Sequence, residues 1–385
     1  MNFNNPRKGD STIVTRTVCA IVFIAFSFIW LFFFQADLLT VAQHVLSGGM
    51  TRYDRFVGAV LITVVLYLLH LGIYAITRLS KRTHALTYLP SMLVLAIISD
   101  INSDIDRRFS LGAWWVAIPV VLIVWAGLVM VARTYQRYEE DKYTDLFSRR
   151  QWINMLTMAV MMLLVALISN TNAVFHYRAH AETALLARNW DDALCAGNES
   201  LESDASLTAL RAYALSRKGE LGERFFEYPV KASGNDLILL GNEARLLLYP
   251  TDSLYRHLGA LPRRGMTAQH YLYNLQAAHQ ATPAVADYVL CMYLTDRNLD
   301  AFVQSLPRYY QVADSLPLPR HYREALVLYS HLHSHPALVY HDAVTDEDYQ
   351  NLQQLEAGYA DEAERSNAVR DKYQGSYWYY YEYLR

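Results

Sequence analysis

Five apolar stretches, at residues 17–34, 56–77, 85–99, 113–132 and 152–169, fill the first part of the chain, with Lys and Arg gathered at alternate ends of them. Crossing about 30 Å of hydrocarbon takes about 20 helical residues, with roughly 17 as the lower bound. Four of the stretches meet that length. The third, 85–99, is shorter and is interrupted by Pro90, which a membrane helix tolerates when neighbours serve the carbonyl it frees. With residues 1–16 in the cytoplasm, the inner segments carry Arg7, Lys8, Arg16, Arg78, Lys81, Arg82, Arg133, Arg137, Lys142, Arg149 and Arg150, and the opposite loops only Arg52, Arg55, Arg107 and Arg108. Eleven against four is the inward bias of short loops. Removing the third stretch as a crossing would put Arg78, Lys81 and Arg82 on the opposite side from the 133–150 loop, so the third is kept. Five crossings from an inside start then place 171–385 outside the cytoplasm. Trp30, Trp114, Trp115 and Trp152 fall near the ends of stretches, where amphipathic rings settle. The first stretch reads as an anchor rather than a cleaved signal, because Phe32-Phe33-Phe34-Gln35-Ala36-Asp37 offers no small-x-small site.

Charge divides the chain. Residues 1–170 hold 15 basic and 10 acidic side chains, a net of +5, and residues 171–385 hold 19 basic and 27 acidic, a net of −8. An acidic outer domain argues against nucleic acid as a partner, since that binding draws on a basic face. Cys19, Cys195 and Cys291 are too few for a disulfide framework. Cys195 and Cys291 could pair if the outer domain is periplasmic, but both sit in apolar helical patterns, and two buried free thiols are the expected state.

The outer part reads as helical hairpins. Asn170-Thr171-Asn172 supplies capping residues before a helix over 173–188, and Asn189-Trp190-Asp191-Asp192-Ala193-Leu194 opens the next. The spacing of Tyr177, Ala181, Trp190 and Ala193 resembles a tetratricopeptide repeat, in which small residues let paired helices approach and aromatics fill the gap between hairpins. Gly197 and Ser200 depart from that pattern. Poorer copies follow at 207–226, with Gly219 between its helices, and at Tyr288 to Phe302. Pro250, Pro262, Pro307 and Pro336 end runs, and Thr282-Pro283 marks a helix start. No stretch alternates with period two. The expected fold is therefore all-α, a five-helix transmembrane bundle over 17–170 followed by a TPR-like helical-hairpin solenoid over 171–385.

Several motifs together, Phe33-Phe34-Gln35-Ala36-Asp37-Leu38, Ser47-Gly48-Gly49, Arg149-Arg150-Gln151-Trp152-Ile153-Asn154, His321-Tyr322-Arg323-Glu324-Ala325-Leu326 and Tyr377-Trp378-Tyr379-Tyr380-Tyr381, resemble a family of uncharacterised Bacteroidetes membrane proteins. The resemblance implies a Gram-negative inner membrane, and hence a periplasmic outer domain. It implies no activity and no catalytic residues.

Each candidate chemical group has a plainer reading beside it. Asp37 follows the first stretch on the outer side, where membrane glycosyltransferases using lipid-linked sugars often carry an acid able to act as base or metal ligand; the plainer reading is a helix cap. Asp100, Asn102, Asp104 and Asp106 alternate as calcium ligands do, but Ile105 and Leu111 stand where the loop's Gly and Glu belong, and Arg107 and Arg108 repel a cation. His331, His333 and His335 could share one face of an extended segment and bind zinc or copper, whereas a helix would separate them. His176 and His180 lack a third ligand. His70, inside the second stretch, is a functional candidate by default; with no acidic residue in any other stretch, a bond to a neighbouring hydroxyl is the expected use. The terminal rings can bind sugar or peptide, or cover an open helical end. No phosphate-binding loop, nucleophile elbow or dinucleotide fingerprint is present, so no cofactor is expected.

The expected function is a membrane-anchored periplasmic scaffold. Its partners would be the lipid bilayer and a protein in the periplasm or inner membrane, with contact residues Trp190, Tyr213, Tyr288, Tyr377, Trp378 and Tyr380. The alternative is a component of lipid-linked sugar or envelope polymer metabolism with Asp37 essential. A transporter using His70 is a third possibility, disfavoured by the odd number of crossings.

Overall fold

The computed structural model describes residues 10–107, 112–136, 138, 148–313 and 318–384. The loop charges Arg7, Lys8, Arg108, Arg137 and Lys142, and Leu111, lie outside the described residues. The chain divides into two compact units, Met1–Asn172 and Ala173–Arg385, and the described residues contain helices and no strand.

In the first unit, α1 (Asp10–Ile29) runs into a π-helical turn, Trp30–Phe34, and then α2 (Ala36–Leu46). α3 (Arg55–Thr77) starts at Asp54, whose carboxylate accepts the Val57 N–H at 2.8 Å, and stops at Arg78 in the left-handed region. A 3-10 segment, Lys81–Tyr88, leads into α4 (Leu89–Ser99), and α5 (Trp114–Gln136) and α6 (Arg149–Ile168) follow. Among the described residues, four helices are long and apolar enough to cross a membrane: Ile13–Phe34, Arg55–Thr77, Trp114–Gln136 and Arg149–Ile168. Their exposed faces are apolar, unlike those of a soluble helix. On α3 the buried positions include Thr63, His70 and Thr77, while Phe56, Leu61 and Leu68 are about 60% exposed. A polar inside and an apolar outside are what a lipid solvent selects.

The third expected crossing is built differently from the other four. Only 89–99 is α-helical, and the 3-10 turns before it are held by side chains from other helices. Asn154 accepts the Ala85 N–H at 2.8 Å and donates to the Lys81 carbonyl at 2.8 Å. Pro90 has no N–H for the Leu86 carbonyl, and the Trp125 indole donates to that carbonyl at 2.9 Å instead. His70 finds its hydroxyl in Thr87, at 3.2 Å, and its ring lies 3.6 Å from that of Tyr88 in a parallel stack.

The second unit comprises α7 (Ala173–Leu186), α8 (Trp190–Cys195), α9 (Ala205–Lys218), α10 (Leu221–Arg224), α11 (Gly234–Leu237), α12 (Thr251–Leu258), α13 (Ala268–Ala277), α14 (Ala284–Thr295), α15 (Leu299–Ser305), α16 (Arg320–Leu332), α17 (Ala343–Ala357), α18 (Glu362–Tyr373) and α19 (Tyr377–Tyr383). Three hairpins share one turn design. α7/α8, α9/α10 and α14/α15 each reverse through a left-handed residue, Arg188 (φ 57°), Gly219 (φ 73°) and Arg297 (φ 54°). In two of them an Asn follows and caps the second helix: Asn189 accepts from the Asp192 N–H at 3.3 Å and Asn298 from the Ala301 N–H at 3.0 Å. One continuous core joins the helices, with Leu207, Tyr288, Phe302 and Tyr322 at its centre. Within it, Glu182 accepts backbone N–H groups from Leu247 and Tyr249, the latter at 2.7 Å, and so fixes the chain entering α12. Burial pushes the Glu182 carboxyl up, and these donors together with Arg178 oppose the shift.

Candidate functional site

An open cleft of about 1050 Å³ lies in the second unit. Its walls come from the α7/α8 turn, the last turn of α9, α12, and the start of α14. Trp190 stands at the first position of α8, where the Asn189 cap sets the chain direction, and Tyr213 and Arg217 are one turn apart on α9. Tyr249 and Pro250 precede α12, which contributes Ser253, Arg256 and His257.

The rings and the cations are organised together. Trp190 meets Tyr213 edge to face at 6.2 Å, and the Tyr213 and Tyr249 hydroxyls are 3.0 Å apart. The Arg217 guanidinium lies 4.8 Å over the Trp190 ring, a cation–π distance. Lys218 is neutralised by Asp191 at 2.6 Å and Glu220 at 3.2 Å. Among the described residues, Arg188, Arg217 and Arg256 have no carboxylate within ion-pair distance. The lining carboxylate Asp287 is occupied from the core side, accepting the Tyr310 hydroxyl at 2.6 Å and the Tyr322 hydroxyl at 2.9 Å. The lining thus carries four cations, Arg188, Arg217, Lys218 and Arg256, against one carboxylate, Asp287, within a unit of net charge −8.

His257 bonds Ser216 Oγ through Nε2 at 2.9 Å. Burial, helped by the Arg217 charge, lowers its pKa from 6.5 to about 4, so the ring is neutral at pH 7. Between these values the unfolded chain binds the additional proton. The stability contribution is complete above pH 6.5 and is lost as pH falls from 6.5 towards 4. For a half-buried ring, screening reduces this to about 1–2 kcal/mol. In detergent, chemical denaturation of the whole protein at pH 7.5 and 5.0 should show this loss, and His257→Gln should remove that share of it. An unchanged pH dependence in the variant would refute the assignment.

The expected contact residues separate into two groups. Trp190 and Tyr213 line the cleft. Tyr288 is fully buried in the core, one turn of α14 inward from the rim. Tyr377, Trp378 and Tyr380 are also interior. The Tyr377 N–H donates to Glu324 Oε2 at 2.6 Å, the Trp378 indole to the Glu324 carbonyl at 2.8 Å, and the Tyr380 hydroxyl to the Thr295 carbonyl at 2.7 Å. Their rings serve packing, and Tyr213, although it borders the cleft, is only 3% exposed, so five of the six expected contact residues are buried and Trp190 alone is half-exposed.

The histidine candidates are spread apart. His331 still belongs to α16 and lies 4.7 Å from the Tyr349 ring, while His333 is already extended, bonds the Tyr329 carbonyl and approaches Asp300 at 3.6 Å. His335 is exposed beyond them. Among the described residues no three metal-ligating side chains converge. Asp37 stands half-buried in the first turn of α2, where a helix dipole favours a carboxylate. Cys195, expected to be buried, is exposed because α8 ends on it; Cys19 and Cys291 are buried, and all three are free thiols. Burial pushes the Cys291 thiol well up. The cleft's cations leave no local pattern in the sequence, because they lie far apart along the chain, from 188 to 256.

Residues 264–384 match a family of unknown function, DUF6057. No curated protein and no solved structure matches the chain. The stretch matched to DUF6057 contains α13 to α19, and so includes Asp287 and the contact between Glu324 and Tyr377. The cleft walls built from α7, α8, α9 and α12 precede it.

Proposed function

We propose that this chain is a membrane-anchored scaffold that holds a segment of a partner protein in the cleft lined by Trp190 and Tyr213. The observation that carries the reading is half-buried Trp190 and Tyr249 gathered with exposed Arg188, Arg217 and Arg256 in one concavity, the residue types that dominate protein-binding hot spots. Repeated hairpin turns support a TPR-like stacking of helices, an arrangement that presents concave faces to peptides.

In this reading the first unit crosses the bilayer five times, the N-terminus is cytoplasmic and the second unit faces the periplasm of a Gram-negative inner membrane. Two observations support it. The inward bias of Lys and Arg requires a crossing between α3 and α5. The composite helix at 81–99 has eight 3-10 residues and eleven α residues; its apolar part from Ala85 extends for about 25 Å at about 2.0 and 1.5 Å per residue, with Lys81 and Arg82 at its cytoplasmic end.

Two measurements test the reading. In spheroplasts a membrane-impermeant maleimide should label Cys195 alone of the three cysteines; labelling that needs lysis would reverse the orientation. A photo-cross-linking residue at Ser253 should capture a defined protein in native membranes, and the same residue at the exposed Lys372 on α18 should not. Absence of a product specific to Ser253, or its persistence when Trp190→Glu is added, would overturn the scaffold.

A further inference from the structure

The charge of the cleft narrows its ligand beyond the scaffold reading, on which the narrower assignment rests. We propose that the partner segment is acidic, a stretch of polypeptide presenting Asp or Glu together with an apolar or aromatic side chain.

Gathering like charges costs free energy unless something opposite meets them. This unit carries an excess of eight acidic residues over basic ones, yet the carboxylates nearest the cleft are already engaged. Asp191 and Glu220 go to Lys218, and Asp287 to two tyrosine hydroxyls. The guanidinium groups of Arg188, Arg217 and Arg256 are left for a ligand. Arg217 is also held in place: its guanidinium lies 4.8 Å over the Trp190 ring and its Nη1 donates to the Tyr213 hydroxyl at 3.4 Å, which positions the charge at the cleft while its remaining N–H groups meet no carboxylate among the described residues. The left-handed backbone at Arg188 forms the hairpin turn beside Trp190, so its side chain springs from a fixed point.

The rest of the lining determines what kind of anion fits. Trp190, Tyr213, Tyr249, Leu186, Pro250 and Pro283 give the cleft apolar surface that a bare anion does not use. About 1050 Å³ is also large for a single inorganic ion and lies at the upper end for small-molecule sites. A peptide supplies both chemistries at once, carboxylates for the rim and a side chain for the floor. Nucleic acid would have to approach through the field of the surrounding acidic surface.

The test uses the full chain in detergent and a fluorescein-labelled peptide of repeated Glu-Leu-Asp-Tyr, with a Lys-Leu-Lys-Tyr peptide as its charge-reversed partner. Fluorescence anisotropy should show saturable binding of the acidic peptide, weakened by added salt, and none of the basic one. Arg188→Glu combined with Arg256→Glu should weaken binding about tenfold or more, while the buried Cys291 stays protected from maleimide, which shows that the fold persists. Equal binding of both peptides, or a double variant that binds as well as the parent, would overturn the acidic reading. So would displacement by inorganic phosphate or phosphatidylglycerol vesicles at concentrations matching the peptide's, which would point to a simple anion or a lipid surface. The Ser253 cross-link separates the two levels. If it persists in the Arg188→Glu, Arg256→Glu chain, the acidic ligand fails and the scaffold stands; if no cleft cross-link forms in the parent, both fail.

Discussion

Glu324→Ala should destabilise the second unit by about 3–5 kcal/mol, the cost of leaving buried donors without their charged partner. Glu324 is 4% exposed. Its Oε2 accepts the Tyr377 N–H at 2.6 Å and His321 Nδ1 at 2.9 Å, and its Oε1 accepts Arg320 Nε at 2.8 Å. His321 is itself fixed, because its Nε2 accepts the Phe226 N–H at 3.1 Å. The ring proton therefore sits on Nδ1 and points at the carboxylate. Burial pushes the Glu324 carboxyl up, but His321, Arg320 and the Tyr377 N–H outweigh it and hold it below the usual carboxylate range. That contribution is present above the ordinary Glu pKa and is lost in acid. Truncation to Ala strands the Tyr377 amide at the start of α19 and the imidazole N–H on α16 in an apolar interior. Urea unfolding followed by near-UV circular dichroism, which reports the Trp378 and Tyr377 environments, should show a lower midpoint. A loss under about 1 kcal/mol would mean that α19 is held by ring packing, with the carboxylate incidental.

Gly259→Ala should be comparably damaging, at about 3 kcal/mol or more, for a different reason. Gly259 follows α12 with φ 143° and ψ −61°, a region closed to side chains. A Cβ there would also lie 2.1 Å from the Gln280 carbonyl oxygen. The obstacle is backbone, so no rotamer relieves it. The same junction ties α12 to the start of α14, where Thr282 donates its N–H to the Leu258 carbonyl at 3.1 Å and its hydroxyl to the His257 carbonyl at 2.7 Å. Relaxation around the new methyl must shift Arg256 and His257, and with them one wall of the cleft. Gly265→Ala is the control. It shares a positive φ, 78°, but meets nothing within 4 Å, so its cost is limited to about 1–2 kcal/mol of backbone strain. Thermal unfolding of both variants decides the matter, and equal shifts would show that the Gln280 contact is harmless.

How much could be read from the amino acids depends on how local each feature is. The hairpin turns were readable because a cap is a one-residue device: Asn189 and Asn298 announce α8 and α15 without reference to the rest of the fold. Apolar length likewise exposed the four long helices. The broken helix at 81–99 was visible only as a short, proline-bearing run, because its completion depends on Asn154 and Trp125, far away in the chain. His84, packed edge-on against Tyr88 and His70 at 5.8 Å, gave no signal, since a histidine beside Lys81 and Arg82 reads as one more polar loop residue. The terminal aromatics read in the sequence either as a binding surface or as a cover, and they are interior, because the sequence does not reveal that Glu324 and the Thr295 carbonyl wait for them. The cleft is the extreme case. Trp190 and Tyr213 were identifiable one by one, but Arg188, Arg217 and Arg256 become a group only after three separate helical elements have folded.

The dependence of residues 81–99 on Asn154 also constrains biogenesis. On a translating ribosome the 3-10 turns emerge well before the helix that completes them, so the Ala85 amide and the Lys81 carbonyl stay unserved until α6 is made. A nascent chain arrested between Gln136 and Arg149 would hold an unfinished bundle, and quality-control proteases would meet its third segment as a substrate.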